Sequence, residues 1–221
     1  MATQDSTVTP LRSVARPKQA RSEKSLQRLL DAADSLIEER GFKDVSIADI
    51  TRRARSSVGG FYSRFKDKDQ LLSALQERFV RQLDASIGSI EESLDPDSEL
   101  SDVLEPGLAL LVKTYRDQRH LMAAFLSRSN ENPHLHEAGM AFRSTIIERF
   151  SRLILRWRDE LNHPDPELAA DLSVQLALGF MDQALTVGRL QAVGEPLPPG
   201  RLQEELMRAM CAYLGVAAED R

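Results

Sequence analysis

Residues Ser46–Leu72 read SIADITRRARSSVGGFYSRFKDKDQLL. Ser46 stands three residues before Asp49, a spacing typical of a capping box at a helix N-terminus, although Glu or Gln is the usual partner. The pattern breaks at Arg55–Ser57, where either serine can cap a further helix over about Val58–Phe65. The stretch therefore predicts two short helices joined by a turn of three or four residues.

Helical periodicity continues on both sides of this stretch. An amphipathic helix runs from Ser22 to Gly41, and another starts after Asp67 as its cap and ends near Asp95-Pro96-Asp97. Five more helices follow, with Pro106 in an early turn or at a kink of the first: about 101–119, 120–129, 133–161, 166–190 and 202–213. No strand-like alternation occurs, so we predict an all-α fold.

Charge is distributed unevenly along the chain. The whole protein has a formal net charge of −5, yet its first 65 residues carry 12 Lys or Arg against 8 Asp or Glu. Residues 50–66 contain five basic residues and no acidic one. A local basic patch on an acidic protein is a candidate contact for a polyanion, because counterion release drives such binding. A solvated helix face is the alternative.

Two short helices around a tight turn, with a basic second half, match the helix-turn-helix element that enters the DNA major groove. Ser46–Leu72 closely resembles the DNA-binding signature of the tetracycline-repressor (TetR) family of bacterial transcription regulators. The resemblance extends over about Ser22–Phe79 and rests on the motifs S-I-A-D-I, V-G-G-F-Y-x-x-F and K-D-K-D-x-L-L. It implies an N-terminal three-helix DNA-binding domain followed by a helical ligand-binding and dimerisation domain.

The candidates for reading base edges lie in the turn and at the start of the third helix: Arg55, Ser56, Ser57 and Val58. Arginine can donate two hydrogen bonds to the edge of guanine, and serine can form hydrogen bonds with more than one kind of base. Valine can contact a thymine methyl. The family usually has glycine and then an apolar residue at the positions of Arg55 and Ser56. This departure leaves the geometry of the turn open.

The other predicted DNA contacts are Ser46, Gly59, Gly60, Tyr62, Lys66 and Lys68. Each glycine costs a helix about 1 kcal/mol relative to alanine, so the pair indicates close backbone approach to DNA or, alternatively, a turn. Tyr62 matches the phosphate-contacting tyrosine of the family, the alternative being a core tyrosine. Lys68 opposes the dipole of its helix unless an anion such as a DNA phosphate lies nearby; otherwise it is an ordinary surface lysine.

The resemblance also implies a domain plan and partners. We predict a basic arm over residues 1–21, a DNA-binding domain over 22–67, a connecting helix over 68–95 and an effector-binding and dimerisation domain over 96–221. The arm carries Arg12, Arg16, Lys18 and Arg21, which could follow the minor groove or belong to a passive tail. The family forms homodimers through its last two helices. The 166–190 helix is apolar nearly all round, which suits a dimer or an enclosed central helix.

A small-molecule effector is expected in the C-terminal domain. Bulky and adaptable side chains are the candidates to line its pocket: Tyr115, Met122, Phe125, Met140, Phe142, Trp157, Phe180 and Met181. We predict a repressor that binds a near-palindromic double-stranded DNA operator as a homodimer and is released by a small hydrophobic effector. The alternatives are an activator, or a helical DNA-binding adaptor that is controlled by a protein partner and lacks a pocket.

Catalysis finds no support in the sequence. His134 and His136 project about 200° apart on a helix, which makes them a poor metal pair, and the single cysteine, Cys211, lies in an apolar helix. No phosphate loop, serine elbow or zinc-type cysteine pairing is present. We therefore predict no catalytic residue, metal or cofactor. With one cysteine and no apolar run near the roughly 18 residues of a membrane helix, we expect a cytoplasmic protein without membrane contact.

Overall fold

A computed structural model describes residues 20–95, 98–187, 191–192, 195–196 and 198–216. The described part is all-α, as predicted. The helices are α1 (Ala20–Arg40), α2 (Ile47–Arg53), α3 (Val58–Tyr62), α4 (Lys68–Ser93), α5 (Leu100–Asp117), α6 (Arg119–Ser129), α7 (Pro133–Ile154), α8 (Pro166–Val187) and α9 (Pro199–Leu214). A 3-10 turn (Leu155–Glu160) follows α7, and the two-residue strands β1 (Gln191–Ala192) and β2 (Glu195–Pro196) pair antiparallel.

The predicted start of α2 is confirmed in detail. Ser46 Oγ accepts a hydrogen bond from the Asp49 amide (3.1 Å), and Asp49 Oδ2 accepts one from the Ser46 amide (3.2 Å). This reciprocal pair is a capping box formed with Asp instead of Glu or Gln. Upstream, α1 ends where predicted, because Gly41 takes φ +80° and its amide bonds Ile37 O at 2.7 Å.

Helix α3 is shorter than the sequence suggested. It ends at Tyr62 instead of Phe65, and Ser57 supplies its N-cap by accepting from the Gly60 amide at 3.0 Å. The carbonyl of Gly60 is taken by two side chains, since the Ser63 hydroxyl (3.0 Å) and Arg64 Nη1 (2.9 Å) both donate to it. Side-chain donors that satisfy the last carbonyls compete with a further helical turn.

Helix α4 joins two hydrophobic cores. Its first half buries Leu71, Leu72 and Leu75 in the core formed with α1, α2 and α3, and its second half buries Ile87 in the core of the C-terminal part. Asp67 caps the helix as predicted, accepting from the Gln70 amide at 2.8 Å. A single rigid element thus extends through both parts of the protein.

Helix α6 is held by charged groups from the N-terminal part. The carboxylate of Glu38 on α1 accepts from the amides of Leu121 (2.7 Å) and His120 (3.3 Å), which are orphan donors at the start of α6. At the other end of α6, Arg128 pairs with Asp69 of α4 at 2.5 Å. These contacts fasten α6 to the two helices that carry the N-terminal core.

The C-terminal helices differ from the prediction at their ends. Asn132 caps α7 as predicted, but α7 gives way to the 3-10 turn after Ile154 because Trp157 leaves helical geometry (φ −104°, ψ 33°) and its indole donates to Ser98 O. Pro106 lies inside α5, beyond its first turn. Residues 188–190, the predicted end of α8, lie outside the described residues, as do 1–19 with Arg12, Arg16 and Lys18; Arg21 falls within α1, which shortens the predicted arm.

Replacing Phe61 by alanine is expected to destabilise the protein. Phe61 is fully buried, and truncating such a ring costs about 3–5 kcal/mol of unfolding free energy. Its neighbour Tyr62 is 55% exposed, so Tyr62→Ala should cost less than about 1 kcal/mol and serves as the control. Urea denaturation followed by circular dichroism measures both, and equal losses would contradict this packing.

Candidate nucleic-acid interface and internal cavity

The turn between α2 and α3 has a Schellman geometry with an unusual residue at its centre. The amide of Arg55 bonds Arg52 O (3.2 Å) and the amide of Ser56 bonds Thr51 O (2.9 Å), which closes the end of α2. Arg55 takes φ 51°, in the left-handed region that glycine usually fills. The turn thus keeps its geometry with arginine in the glycine position, at a strain cost of about 1–2 kcal/mol.

The outer face of the turn and of α3 is open to solvent. Arg55, Ser57 and Gly59 are exposed, and the larger side chains Val58 and Tyr62 are 48% and 55% exposed. On the opposite face, Phe61 and Phe65 are fully buried, as predicted. The predicted base-reading side chains and Tyr62 therefore lie together on one outward surface, with Ser56 half-buried beside them.

The two glycines of α3 differ in their surroundings. A Cβ on Gly59 would meet only Ser57 Oγ, at 4.0 Å, so this backbone is open to a neighbour. A Cβ on Gly60 would lie 2.8 Å from Ser56 Oγ and 3.2 Å from Ser57 Oγ. A side chain at Gly60 would thus have to displace the Ser56 hydroxyl and would crowd the capping hydroxyl of Ser57, a reason inside the protein that the sequence had not suggested.

Lys68 is not an ordinary surface lysine, and its contact with a DNA phosphate stays a prediction. Its ammonium group donates to the carbonyls of Phe42 (2.7 Å) and Val45 (2.9 Å) and lies 4.3 Å from the centroid of the Phe42 ring. Burial lowers the pKa of Lys68, partly countered by the charge of Asp69. Lys68 therefore fastens the segment between α1 and α2 to the start of α4.

The remaining predicted contacts lie at the edges of this surface. Ser46 is exposed, but its hydroxyl donates to Asp49 Oδ2 at 2.6 Å within the capping box. Lys66 is exposed, and no partner for its side chain is recorded within the described residues; the same holds for Arg55. Arg52, which was not singled out as a contact, has a 74% exposed side chain that also pairs with Asp49. Its position within residues 50–66, which contain no acidic residue, is the feature of the sequence that could have indicated this contact.

A cavity of about 570 Å³ lies between α4, α5, α6, α7 and α8. Five of the eight predicted pocket residues line it: Tyr115, Met122, Phe125, Met140 and Phe142. Most of the wall is aliphatic or aromatic, and α4 contributes Phe79, Leu83 and Ile87. The size is typical of a site for a drug-sized molecule.

Three predicted pocket residues lie elsewhere. The indole of Trp157 reaches Ser98 O in the core beyond α7, and Met181 is buried among other core residues. Phe180 points out of α8 and is 36% exposed. Bulk and adaptability alone do not indicate which face of a helix meets the cavity, and α8 contributes Leu178 and Asp182 instead.

A polar cluster in the cavity wall was not predicted. The Tyr115 hydroxyl donates to Asp182 Oδ1, and Arg143 Nη1 lies 2.6 Å from Asp182 Oδ2. Burial, together with the charge of Asp182, raises the pKa of Tyr115 well above its usual value, so the phenol stays protonated. Because these residues belong to three separate helices, no local sequence spacing reveals the cluster.

Comparison with known proteins identifies the family to which this architecture belongs. Residues 29–75 match the family model for bacterial regulatory proteins of the tetR family, and residues 99–214 match that for the tetracyclin repressor-like C-terminal domain. The chain belongs to the TetR family. The resemblance carried by Ser46–Leu72 is thereby confirmed, and this TetR-family protein is a DNA-binding transcriptional regulator.

Individual relatives agree with the family assignment. The HTH-type transcriptional regulator BetI of Cronobacter sakazakii is 30% identical over 167 residues, which is 74% of this chain and 80% of that protein. EthR of Mycobacterium tuberculosis is 23% identical over 81% of this chain and 82% of its own length. Among solved structures, a transcriptional regulator from Rhodococcus sp. Rha1 shares the fold with a TM-score of 0.68 at 24% identity, covering 86% of this chain and 96% of that one.

The described residues of this TetR-family chain give little support for a metal site, a membrane-spanning helix or a reactive cysteine. The described residues contain no cluster of three metal-ligating side chains, and no helix among them is long and apolar enough to span a bilayer. Burial raises the pKa of the Cys211 thiol, which disfavours the reactive thiolate. The relatives are regulators, and the expected lack of catalysis, metal and cofactor stays a prediction.

Replacing Arg55 by glycine is expected to stabilise the protein. The change relieves left-handed strain of about 1–2 kcal/mol but adds about 0.4–1 kcal/mol of chain entropy in the unfolded state. A net rise of about 0.5–1 kcal/mol in unfolding free energy should follow, measured by urea denaturation. Ser63→Gly, at a residue with ordinary helical angles (φ −70°), is the control and should lower stability. A loss of stability in Arg55→Gly would contradict the strained geometry.

Proposed function

We propose that this TetR-family protein is a homodimeric repressor that binds a near-palindromic DNA operator and is released when a small, largely apolar molecule fills the cavity. The observation that carries the proposal is the double role of α4. The same helix packs beneath the exposed surface of α3 and forms part of the cavity wall. A molecule in the cavity therefore touches an element that positions the DNA-binding surface.

The exposed surface of the turn and α3 supports the DNA-binding part. Arg55 extends from the turn, Tyr62 offers a hydroxyl to a phosphate, and Gly59 leaves the backbone open to close approach. Lys66 and Arg52 add positive charge at the edges. We assign the domain roles as first predicted, with DNA binding in residues 22–67, connection in 68–95, and effector binding and dimerisation in 96–221.

The exposed face of α8 supports the homodimer. Leu168, Leu176 and Phe180 are 53%, 54% and 36% exposed and follow one another at helical spacing along one side of α8. On α9, the small residues Ala209 and Ala212 are also exposed. A second copy that packs α8 and α9 against their symmetry mates covers these apolar side chains. Two-fold symmetry then presents two recognition helices to one duplex about 34–36 Å apart or somewhat more.

The release step is a shift between two arrangements of the dimer. An effector that binds more tightly to the form with spread DNA-binding domains lowers operator affinity, and such coupling is typically about 1–3 kcal/mol. Met122 and Phe125 of α6 line the cavity, while Glu38 and Asp69 hold the two ends of α6 to the N-terminal part. Occupation of the cavity therefore acts on α4 and α6 together.

Operator binding tests the proposal. Genomic fragments that the protein enriches provide the operator, and fluorescence anisotropy compares it with a scrambled duplex of equal length at several salt concentrations. Arg55→Ala is expected to weaken specific binding by about 1–3 kcal/mol because one base-reading side chain is lost. Arg152→Ala removes the same charge from the exposed surface of α7 and should change affinity less than about twofold.

Wild-type protein that binds the scrambled duplex as tightly as the enriched fragment would contradict specific recognition. Equal losses in Arg55→Ala and Arg152→Ala would show that only overall charge matters, which would also count against the assigned surface.

The double substitution Leu176→Glu and Phe180→Glu is expected to separate the dimer, because carboxylates would have to be buried where two copies meet. Sedimentation velocity should show a monomer, and operator affinity should fall at least about tenfold as the second recognition helix is lost. Ser89→Glu, on the exposed side of α4, is the control. A monomeric variant that retained full operator affinity would contradict the two-fold arrangement.

A further inference from the structure

A second, smaller cavity lies beside the main cavity of about 570 Å³. This inner cavity has a volume of about 60 Å³ and lies between α5, α7, α8 and α9. Its lining within the described residues is entirely apolar, and the side chains that line it alone, such as Val103, Ile154 and Met210, are buried. A small cavity with such a wall stays dry, so its space is suited to an apolar group.

The inner cavity continues the main cavity in the same direction. On α7, the lining of the main cavity ends at Phe150, whereas that of the inner cavity reaches Ile154. On α5, the lining of the main cavity begins at Gly107, whereas that of the inner cavity reaches back to Val103. Because both helices carry the inner cavity past the end of the main one, it is an extension by about one helical turn, or about 6 Å.

The ring of Phe150 lies at the boundary between the two cavities. Phe150 and Gly107 line both of them. A Cβ on Gly107 would lie 2.8 Å from Phe150 Cε1, so the ring packs directly against the backbone of α5. The other residues that line both cavities, Leu111, Ile146 and Leu178, carry smaller aliphatic side chains. The half-buried Phe150 ring is therefore the largest group between the two spaces.

The main cavity opens to solvent at the end opposite Phe150. Among its lining residues, Leu126 and Met140 are 36% and 52% exposed, and Asn130 and His136 are exposed polar residues. Met140 and Phe150 are ten residues apart on α7, which corresponds to about 15 Å. An amphiphilic ligand keeps its polar end in water because burying that end costs free energy, and its apolar chain then extends towards Phe150.

We propose that the Phe150 ring, packed against Gly107, closes the inner end of the main cavity and sets the greatest length of the alkyl chain that the effector carries. The ligand class is an amphiphile with a single unbranched alkyl chain. An apolar cavity that binds benzene measures about 150 Å³, so the inner cavity accommodates a chain end but not a ring. The proposal rests on the small-molecule part of the proposed function and names the chemical class of the effector.

A series of alkyl maltosides with octyl, decyl, dodecyl and tetradecyl chains measures the length limit. Each probe competes with Nile red for the full-length protein below its micelle concentration. Affinity should rise about fourfold for each added methylene until the chain reaches Phe150, and should then level off. A rise that continues unchanged through tetradecyl maltoside, or the failure of every probe to displace the dye, would overturn the proposal.

Replacing Phe150 by alanine joins the two cavities. The rise in affinity should then continue for at least about two further methylenes, so tetradecyl maltoside should bind at least about tenfold more tightly than it does to the wild type. Phe150→Leu should shift the limit in the same direction by less, and it provides the measurement if the alanine variant does not fold. A length limit that stays at its wild-type value in the folded variants would contradict the role of the ring.

A second substitution shows whether the added length enters the inner cavity. Ala177 lines the inner cavity but not the main one, and Ala177→Val places two methyl groups there. It should leave the length limit of the wild type unchanged and should return that of Phe150→Ala to the wild-type value. The matched background is Phe142→Ala, which removes the same ring from the same helix within the main cavity only. Ala177→Val should not change the length limit there, and an equal change in both backgrounds would count against the proposal.

The two hypotheses fail in different measurements. If a maltoside released the operator but no length limit depended on Phe150, the proposed function would stand and the role of the ring would fail. If the limit shifted as expected in the variants but no maltoside changed operator affinity, the role of the ring would stand and release by this class would fail.

Discussion

The continuity of α4 is the constraint on which the rest of the structure depends. This helix has 26 residues and is about 39 Å long at 1.5 Å per residue. Its first turns are fixed by Leu71 and Leu72 in the N-terminal core, and its second half lines the cavity and enters the C-terminal core at Ile87. Because no break separates the two halves, one continuous helix extends from the core beneath α2 and α3 to the wall of the cavity. The core beneath α3 and the wall of the cavity are thereby connected through the packing of α4.

The second connection, through α6, is polar. Glu38 of α1 satisfies orphan amides at the start of α6, and a carboxylate in this position also complements the helix dipole. Capping bonds of this kind are typically worth about 0.5–2 kcal/mol, comparable to the coupling that an effector needs. Since Leu121 and Phe125 of α6 also pack in the N-terminal core, this core includes a helix that lines the cavity. The N-terminal unit is therefore not structurally independent of the C-terminal part.

Local signals accounted for most of the fold, and long-range contacts accounted for what was missed. The Ser46 capping box, the Asp67 and Asn132 caps and the stop at Gly41 depend on neighbouring residues, and the sequence predicted all four. The partners of Lys68 inside the protein were not predicted, because the carbonyls of Phe42 and Val45 are more than twenty residues away. The ion pair of Arg143 and Asp182 escaped notice for the same reason, whereas the bulk of Phe180 suggested a cavity that its helix face does not meet. Helix spacing indicates which residues share a face but not what that face contacts.

The most direct test of the account measures the distance between the two DNA-binding surfaces. A spin label on Ser63→Cys, at the exposed end of α3 and with Cys211→Ala as background, reports this distance by pulsed electron paramagnetic resonance in the operator complex. The account predicts one narrow distribution near a single turn of B-DNA, about 34–36 Å or somewhat more. Absence of a dipolar signal between protomers, or a mean that differs from one turn by more than about half a turn, would contradict symmetric recognition by paired α3 helices.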